Sequence, residues 1–357
     1  MNLPSTQAQG VGLGPREEEK MKETSVFAQV VPFAVMCVLF SLAVAAPPDA
    51  ANWAEKLGWE ATDRVLMIHS DDVGMCHEAN RGAIEALEQG VVNSISIMMP
   101  CPWVGEIAAY LEENPEVDAG LHLTLCSERS HYRWGPVAGQ SAVPSLVDEW
   151  GCLWRNNGLL QKHATAEDVE TEIRAQIARA HAFGIQPTHM DTHMGSLFVR
   201  PDIAMRYAKV GVEMGIPIMA IDLSMERVLE ETKDMPEALR QVFQEAFRQL
   251  IKTVWDGGLP IVDNLVPADY GTSPENKKAE YVELLRTLPA GINILIVHCA
   301  IDTPNWRAIT EAAPRWIADY EVMLDPELKR IIEEEGIIMT TWRELKARRD
   351  AIGKETE

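Results

Sequence analysis

The chain has 357 residues, 46% of them hydrophobic, and a formal net charge of −22, which suits one large domain or two ordinary ones around a sizeable core. So acidic a balance argues against a nucleic-acid partner and against an anionic membrane surface, both of which are recognised by basic residues. It predicts a soluble, acidic exterior.

The first 25 residues are polar and mixed in charge, and Val26 to Ala46 is apolar apart from Gln29, Pro32 and Ser41. Ala43-Val44-Ala45 fits an A-x-A cleavage pattern, with Pro47-Pro48 after it. Residues 1–46 therefore predict a leader and export signal, and an exported protein, periplasmic or extracellular. Uncleaved, the apolar run is nearly long enough to anchor the chain in a membrane. Met21 would make a more ordinary start for such a signal than Met1. Residues 47–63 read as a linker, 64–350 as a single domain and 351–357 as a tail. Cys37 lies in the signal; Cys76, Cys101, Cys126, Cys152 and Cys299 are odd in number and lack CxxC spacing, so they predict neither a disulfide framework nor a zinc knuckle.

From Arg64 onward, strand and helix patterns alternate. "RVLMIHS" is a buried strand, "HEANRGAIEALEQG" a helix ending at Gly90, "VVNSISIMMP" a strand, "WVGEIAAYLEENP" a helix and "DAGLHLTL" a strand. Cys126 to about Ala164 is long, irregular and rich in Gly, Pro and Trp; such loops in compact domains are usually functional. A helix follows, capped by Thr165 and stopped by Gly184. Then come the strand "IQPTHMDTH", a helix from Pro201, the strand "IPIMAIDL", a helical region near 225–255 and "LPIVDNL". The helix "NKKAEYVELLRTLP", the strand "GINILIVHC", a helical stretch interrupted by Pro314, and a final αβα through "IIMTT" complete the chain. Repeated βα units imply a mostly parallel sheet with outer helices, and this many fit a (β/α) barrel better than an open sheet. In either architecture the site lies at the C-terminal ends of the strands.

Those ends carry unusual residues. The first strand runs into Asp71-Asp72, the third ends on His122, the next on His189, Asp191 and His193, and a late one on His298. Only nine histidines occur in the chain, so the clustering is informative. Residues two apart on an extended chain face the same side, so His189, Asp191 and His193 can project together. Imidazoles and carboxylates are the ligand set of Zn²⁺, Fe²⁺ and similar ions, and the pattern predicts a mononuclear site built by Asp72 and two histidines.

"HSDDVGMCHEANRG", "GLHLTL" and "PTHMDTHMG", in this order and with a late strand ending in His, resemble the YdjC-like carbohydrate deacetylases, the chito-oligosaccharide and related deacetylases. The resemblance runs from about Arg64 to Trp342. It implies an irregular (β/α) barrel, one divalent metal ion (Zn²⁺ or Mg²⁺) held by Asp72, His122 and His193, Asp71 as catalytic base and His298 as general acid. The sequence departs from the family in two places: His193 is not followed by further histidines, and His298 precedes Cys299-Ala300 in place of Pro-Gly or Pro-Ala. The chemistry agrees with the assignment. A cation with open positions activates water and polarises a carbonyl, Asp71 can take the water's proton, and His298 can protonate the departing sugar amine. His189 and Asp191 are expected behind the ligands, since a ligand imidazole usually donates its other N–H to a carboxylate or carbonyl. Tyr132, Arg133 and Trp134 are expected to bind substrate, the alternative being a lid packed for its own stability. The predicted function is removal of an acetyl group from an N-acetylated sugar or oligosaccharide. The alternatives are a metal hydrolase of another amide or ester, and a non-catalytic carbohydrate-binding relative; the presence of both Asp71 and His298 disfavours the last. No nucleic-acid partner is expected, and a membrane only through an uncleaved N-terminus.

Overall fold

The computed structural model describes residues 52–222, 237–266 and 271–355. The export segment Val26–Ala46, the proposed start at Met21 and the beginning of the 225–255 helical region lie outside the described residues. No helix among the described residues is long and apolar enough to cross a membrane.

The strands are β1 (Arg64–Val73), β2 (Ser94–Ile97), β3 (Ala119–Leu123), β4 (Met190–Thr192), β5 (Asn264–Val266), β6 (Gly291–Val297) and β7 (Ile338–Met339), in the order β4-β3-β2-β1-β6-β5, with β7 against β1. All of these pairings are parallel. β1 is central and buried along nearly its whole length, which explains its continuous apolar run in place of an alternating one. The sheet curls back on itself. Single parallel bridges, Met190–Ile218 and Ile221–Val262, carry the ladder from β4 to the chain entering β5. The expected strand "IPIMAIDL" supplies those bridges but forms no strand of its own. Over Pro217–Met219 it bonds to β4, and over Ala220–Asp222 to Val262, too briefly on either side to make a ladder. The architecture is the expected irregular (β/α) barrel.

Helices wrap this sheet, including His77–Gln89, Val104–Glu113, Ala166–Ala182, Pro201–Met214 and Lys277–Arg286. Thr165 caps its helix as expected, accepting from the Asp168 N–H at 3.2 Å. The stretch interrupted by Pro314 is two helices, Pro304–Ile309 and Ala313–Met323, with Pro314 in the first turn of the second, where its missing N–H costs nothing. Gly82 lets the His77–Gln89 helix lie against the backbone just past β6. A Cβ there would sit 2.6 Å from Ala300 and from Cys299, so this glycine sets the closeness of the chain that follows His298.

The linker expected over 47–63 needs correction from Asn52 onward. Trp53–Lys56 is a helix turn whose Trp53 and Ala54 are buried. Both backbone N–H groups donate to Asp263, at 2.7 and 3.2 Å, and the Trp53 indole donates to Asp222 at 2.9 Å. Burying a tryptophan outweighs the freedom a linker would keep. At the other end the helix Trp342–Glu355 continues into the expected tail. The five cysteines of the described residues are unpaired.

The long segment after β3 has little regular structure: a 3₁₀ turn at Pro144–Leu146, the helix Asn157–His163 and isolated bridges. It is nonetheless tied down. Buried Glu172 accepts the Val137 and Ala138 N–H groups, each at 2.9 Å, and Arg133 pairs with Asp148 at 2.8 Å.

Candidate metal centre and its surroundings

The two adjacent acids that end β1 would point to opposite faces of a regular strand. Here they do not, because β1 carries a bulge. Ser70 pairs with Ile95 and Val73 with Ile97, so Asp71 and Asp72 together stand opposite the single residue Ser96. Asp72 has φ of 61°, a left-handed conformation that costs a non-glycine residue energy and concentrates at functional sites. The bulge turns both carboxylates to the barrel mouth.

Asp72 Oδ1 lies 2.9 Å from His193 Nδ1 and 3.1 Å from His122 Nε2, and those two nitrogens are 3.2 Å apart. All three residues are buried. The outer nitrogens of both imidazoles already have carboxylate partners. His122 Nδ1 is 2.7 Å from Asp191 Oδ1, and His193 Nε2 is 3.0 Å from Glu128 Oε2. Each outer nitrogen therefore carries the proton it donates, and in the neutral ring the inner nitrogen presents a lone pair. With neutral rings three acceptors then face one another, an arrangement that a bound cation resolves, as protons on the rings would. Their mutual spacing is that of neighbouring ligand atoms around one ion, about 3 Å for bonds of about 2.1 Å. The donor set fits a divalent metal.

The electrostatics agree. Burial would raise the Asp72 carboxyl, but the His193 and His122 imidazoles hold it well below the usual range. His193 moves the other way: burial lowers it, and Asp72 and Glu128 outweigh that, raising it to about 9. Positive charge at this point is strongly favoured, whether carried by protons or by a metal. Two further clusters, His69–His189–Asp191 and Asp71–His122–Asp191, also have ligand atoms near one another. The first is sealed in the interior, with His69 and His189 at 0% exposure. The second shares Asp191 and His122 with the Asp72 cluster, where they are already hydrogen-bonded.

Asp191 and His122 occupy directly paired positions on β4 and β3, which is why the carboxylate meets that ring. Its other oxygen takes His69 Nε2 at 2.9 Å. His69 is also 3.2 Å from Asp71 Oδ1 and bonds to Ser94 Oγ at 2.9 Å. Burial lowers its pKa, but Asp191 and Asp71 together raise it to about 9. Ser96 donates to Asp71 Oδ1 at 3.0 Å. Asp71 is thus clamped from the β2 side of β1. His298 stands on the β6 side, its Nε2 4.0 Å from Asp72 Oδ2 and its ring against Trp316.

His189 does not reach the Asp72 cluster. Its ring stacks on Trp342 and meets His69 edge-on, with centroids at 5.2 and 5.0 Å. Gly120 makes room for it, since a Cβ there would sit 2.4 Å from the ring. Burial drives its pKa well below the ordinary histidine value, so it is a neutral prop for His69. Trp134 is buried, edge-on to His193 at 6.2 Å, and donates to the Cys126 carbonyl. Tyr132 is half-buried and donates to the Met75 carbonyl at 2.5 Å. Arg133 departs from the expected contact with a sugar. Its guanidinium is held inside the loop by Asp148 and the Leu153 carbonyl, at 2.8 and 2.6 Å, so it braces the loop.

Sequence reasoning missed His69, Ser96 and Glu128. His69 was within reach, because it lies two residues before Asp71 on the same strand. Glu128 sits in the irregular segment, where no periodicity assigns a direction to a side chain.

Fold and site together define a (β/α) barrel with a buried carboxylate–imidazole cluster, able to hold a cation, at the C-terminal ends of its strands. The family model described as YdjC-like protein matches residues 65–334, and the chain belongs to that family. A carbohydrate deacetylase of Thermus thermophilus is 33% identical over 280 residues, covering 78% of this chain and 93% of the relative. One from Geobacillus stearothermophilus is 26% identical over 283 residues, covering 79% and 98%. Among solved structures, an Enterococcus faecalis protein described as a candidate for cellobiose-phosphate cleavage matches with a TM-score of 0.64 at 21% identity, covering 80% of this chain and 99% of its own. At that identity it supports the fold.

Proposed function

We propose that the chain is a metal-dependent carbohydrate deacetylase that removes the acetyl group of an N-acetylated sugar or oligosaccharide. The observation that carries this reading is the meeting of three acceptors, Asp72 Oδ1, His122 Nε2 and His193 Nδ1, with a second acid and a third imidazole on either side. The relatives named carbohydrate deacetylases support the substrate class.

Asp72, His122 and His193 would hold the ion, Zn²⁺ or Mg²⁺, and a divalent cation bound there would lower the pKa of a water and polarise the acetyl carbonyl. Asp71 takes the proton of the attacking water as the water oxygen bonds to the acetyl carbon. His69 and Ser96 keep that carboxylate aimed. His298 gives its proton to the sugar nitrogen as the C–N bond breaks, leaving acetate and a free amine. Asp191 and Glu128 fix the orientation of the two ligand imidazoles. Trp134 walls the site behind His193, and Tyr132 lies beside it, within reach of a sugar face.

Acetate release from a panel of N-acetyl sugars, with metal stripped by chelation and then restored, tests the reading. Release that is lost on stripping and regained on restoration is expected; undiminished release after stripping would remove the metal from the mechanism. The export reading of residues 1–46 is part of the same proposal, since polymeric acetylated glycans lie outside cells. N-terminal sequencing from the native host should find a start near Ala46 or Pro47; a soluble cytoplasmic product retaining Met1 would end it.

A further inference from the structure

We propose that Arg129 is a positioning residue for His298, and that the Glu128–Arg129 dipeptide ties the ligand His193 after β4 and the acid His298 after β6 to one loop. The proposal rests on the deacetylase reading of His298, and its test separates the two.

The contacts form an unbroken chain. Glu128 holds His193 Nε2 with one oxygen, at 3.0 Å. Its other oxygen lies 2.9 Å from Arg129 Nε. Arg129 Nη1 donates to Thr310 Oγ1 at 2.6 Å, and its guanidinium carbon sits 5.3 Å from the centre of the Trp316 ring, within range of a cation–π contact. The Trp316 ring lies 4.7 Å from that of His298, centre to centre, and 4.8 Å from that of fully buried Trp306.

His298 is gripped twice from one helix face. Trp316 and Asp319 are three apart on the Ala313–Met323 helix and so point the same way. Trp316 underlies the His298 ring. Asp319 takes the His298 backbone N–H at 3.2 Å and is itself held by the Tyr281 hydroxyl at 2.7 Å. The backbone grip is a hydrogen bond that does not involve Arg129. The ring grip depends on Trp316 keeping its orientation, and Arg129 covers that ring. A planar guanidinium can stack on an indole while it donates to Thr310 and pairs with Glu128; an ammonium can keep the pair but not the stack. The loop after β3 thereby sets the angle of a side chain just past β6, to which it has no sequence proximity.

The test compares Arg129→Met and Arg129→Lys with the wild type. The readouts are direct Zn²⁺ titration, NMR of the His298 imidazole (assigned by its loss in His298→Gln), and acetate release from N,N′-diacetylchitobiose. For Arg129→Met the His298 signals should shift or broaden, and kcat should fall about tenfold, as small misplacements of a reacting group do. KM should stay within about twofold, because uniform binding is untouched. Arg129→Met should also weaken Zn²⁺ binding, because Glu128 behind His193 loses its ion pair; Arg129→Lys should restore that affinity without restoring the His298 signals or kcat. Wild-type His298 signals and kcat in Arg129→Met would overturn the proposal, as would full recovery of both in Arg129→Lys. If the wild type released no acetate from any N-acetyl sugar, the deacetylase reading would fall, while the His298 signals would still decide whether Arg129 positions that ring.

Discussion

Buried or half-buried carboxylates occur at both ends of this barrel, and their partners differ. At the N-terminal ends of the strands, Asp118 accepts the backbone N–H groups of Trp342 and Arg343 at 3.1 and 3.0 Å, and the Ser94 hydroxyl at 2.8 Å. Asp263 accepts three backbone N–H groups, from Trp53, Ala54 and Ile292. At the C-terminal ends, Asp71, Asp72 and Asp191 face imidazoles. A backbone N–H cannot ionise or leave, so the lower acids act as fixed clasps that fasten the terminal helices to the sheet. An imidazole can give up its proton and offer a lone pair, so the upper acids belong to a centre whose charge can be exchanged. Burial raises the Asp263 carboxyl, whereas Asp72, more deeply buried, is held low by the histidines around it. Partner chemistry, more than depth, separates a clasp from a site.

Substitutions at the two ends should therefore fail in different ways. The largest effect is expected for Asp72→Asn. It removes charge and an acceptor atom from the candidate metal centre, so, if the proposed function holds, stoichiometric metal binding and acetate release should both collapse, and excess metal should partly restore them. His122→Ala should lose the metal as well while the fold persists; full metal content in either variant would remove that residue from the ligand set. Asp71→Asn comes next. It should keep its metal and lose roughly 10²–10⁴-fold in rate, the worth of a positioned base, with no rescue by added metal. Equal metal loss in the Asp71 and Asp72 variants would mean that the pair acts as one ligand unit, and the base would then be sought at Asp191. Glu128→Ala should weaken metal binding by about 10–100-fold, the usual cost of losing the partner behind a ligand imidazole, measured by direct titration.

The smallest effect on chemistry is expected at the lower end. Asp118→Asn replaces one accepting oxygen with a donor that faces an N–H, at a cost of about 1–3 kcal/mol in stability, seen in a denaturant midpoint. Metal affinity should stay at wild-type values and kcat at low temperature should change little, since Asp118 reaches Asp71 only through Ser94 and His69. A loss of metal in this variant would show that the two ends are coupled and would blur the comparison.

Much of this was legible in the residues. Buried apolar runs alternating with helical periodicity specify a parallel βα architecture, because each pattern has only one way to hide its apolar side. Strand ends loaded with Asp and His mark the site. That Asp191 meets an imidazole follows from the same logic. The roles of His189 and Arg133 were not legible. Both types suit a site, and only packing shows that one ring is sandwiched between Trp342 and His69 and that one guanidinium is spent on Asp148.

The sequence by itself determined the barrel class, the face that carries the site and the residue types that make it, because hydrophobic period and strand polarity are local properties of the chain. The tertiary structure alone decided how neighbouring acids share a mouth. The β1 bulge and the left-handed Asp72 depend on pairing with β2, and a register shift is a property of two strands, absent from either one read alone. The link from Glu128 through Arg129 and Trp316 to His298 was likewise decided in three dimensions, since an irregular loop has no period from which a side chain's direction can be read.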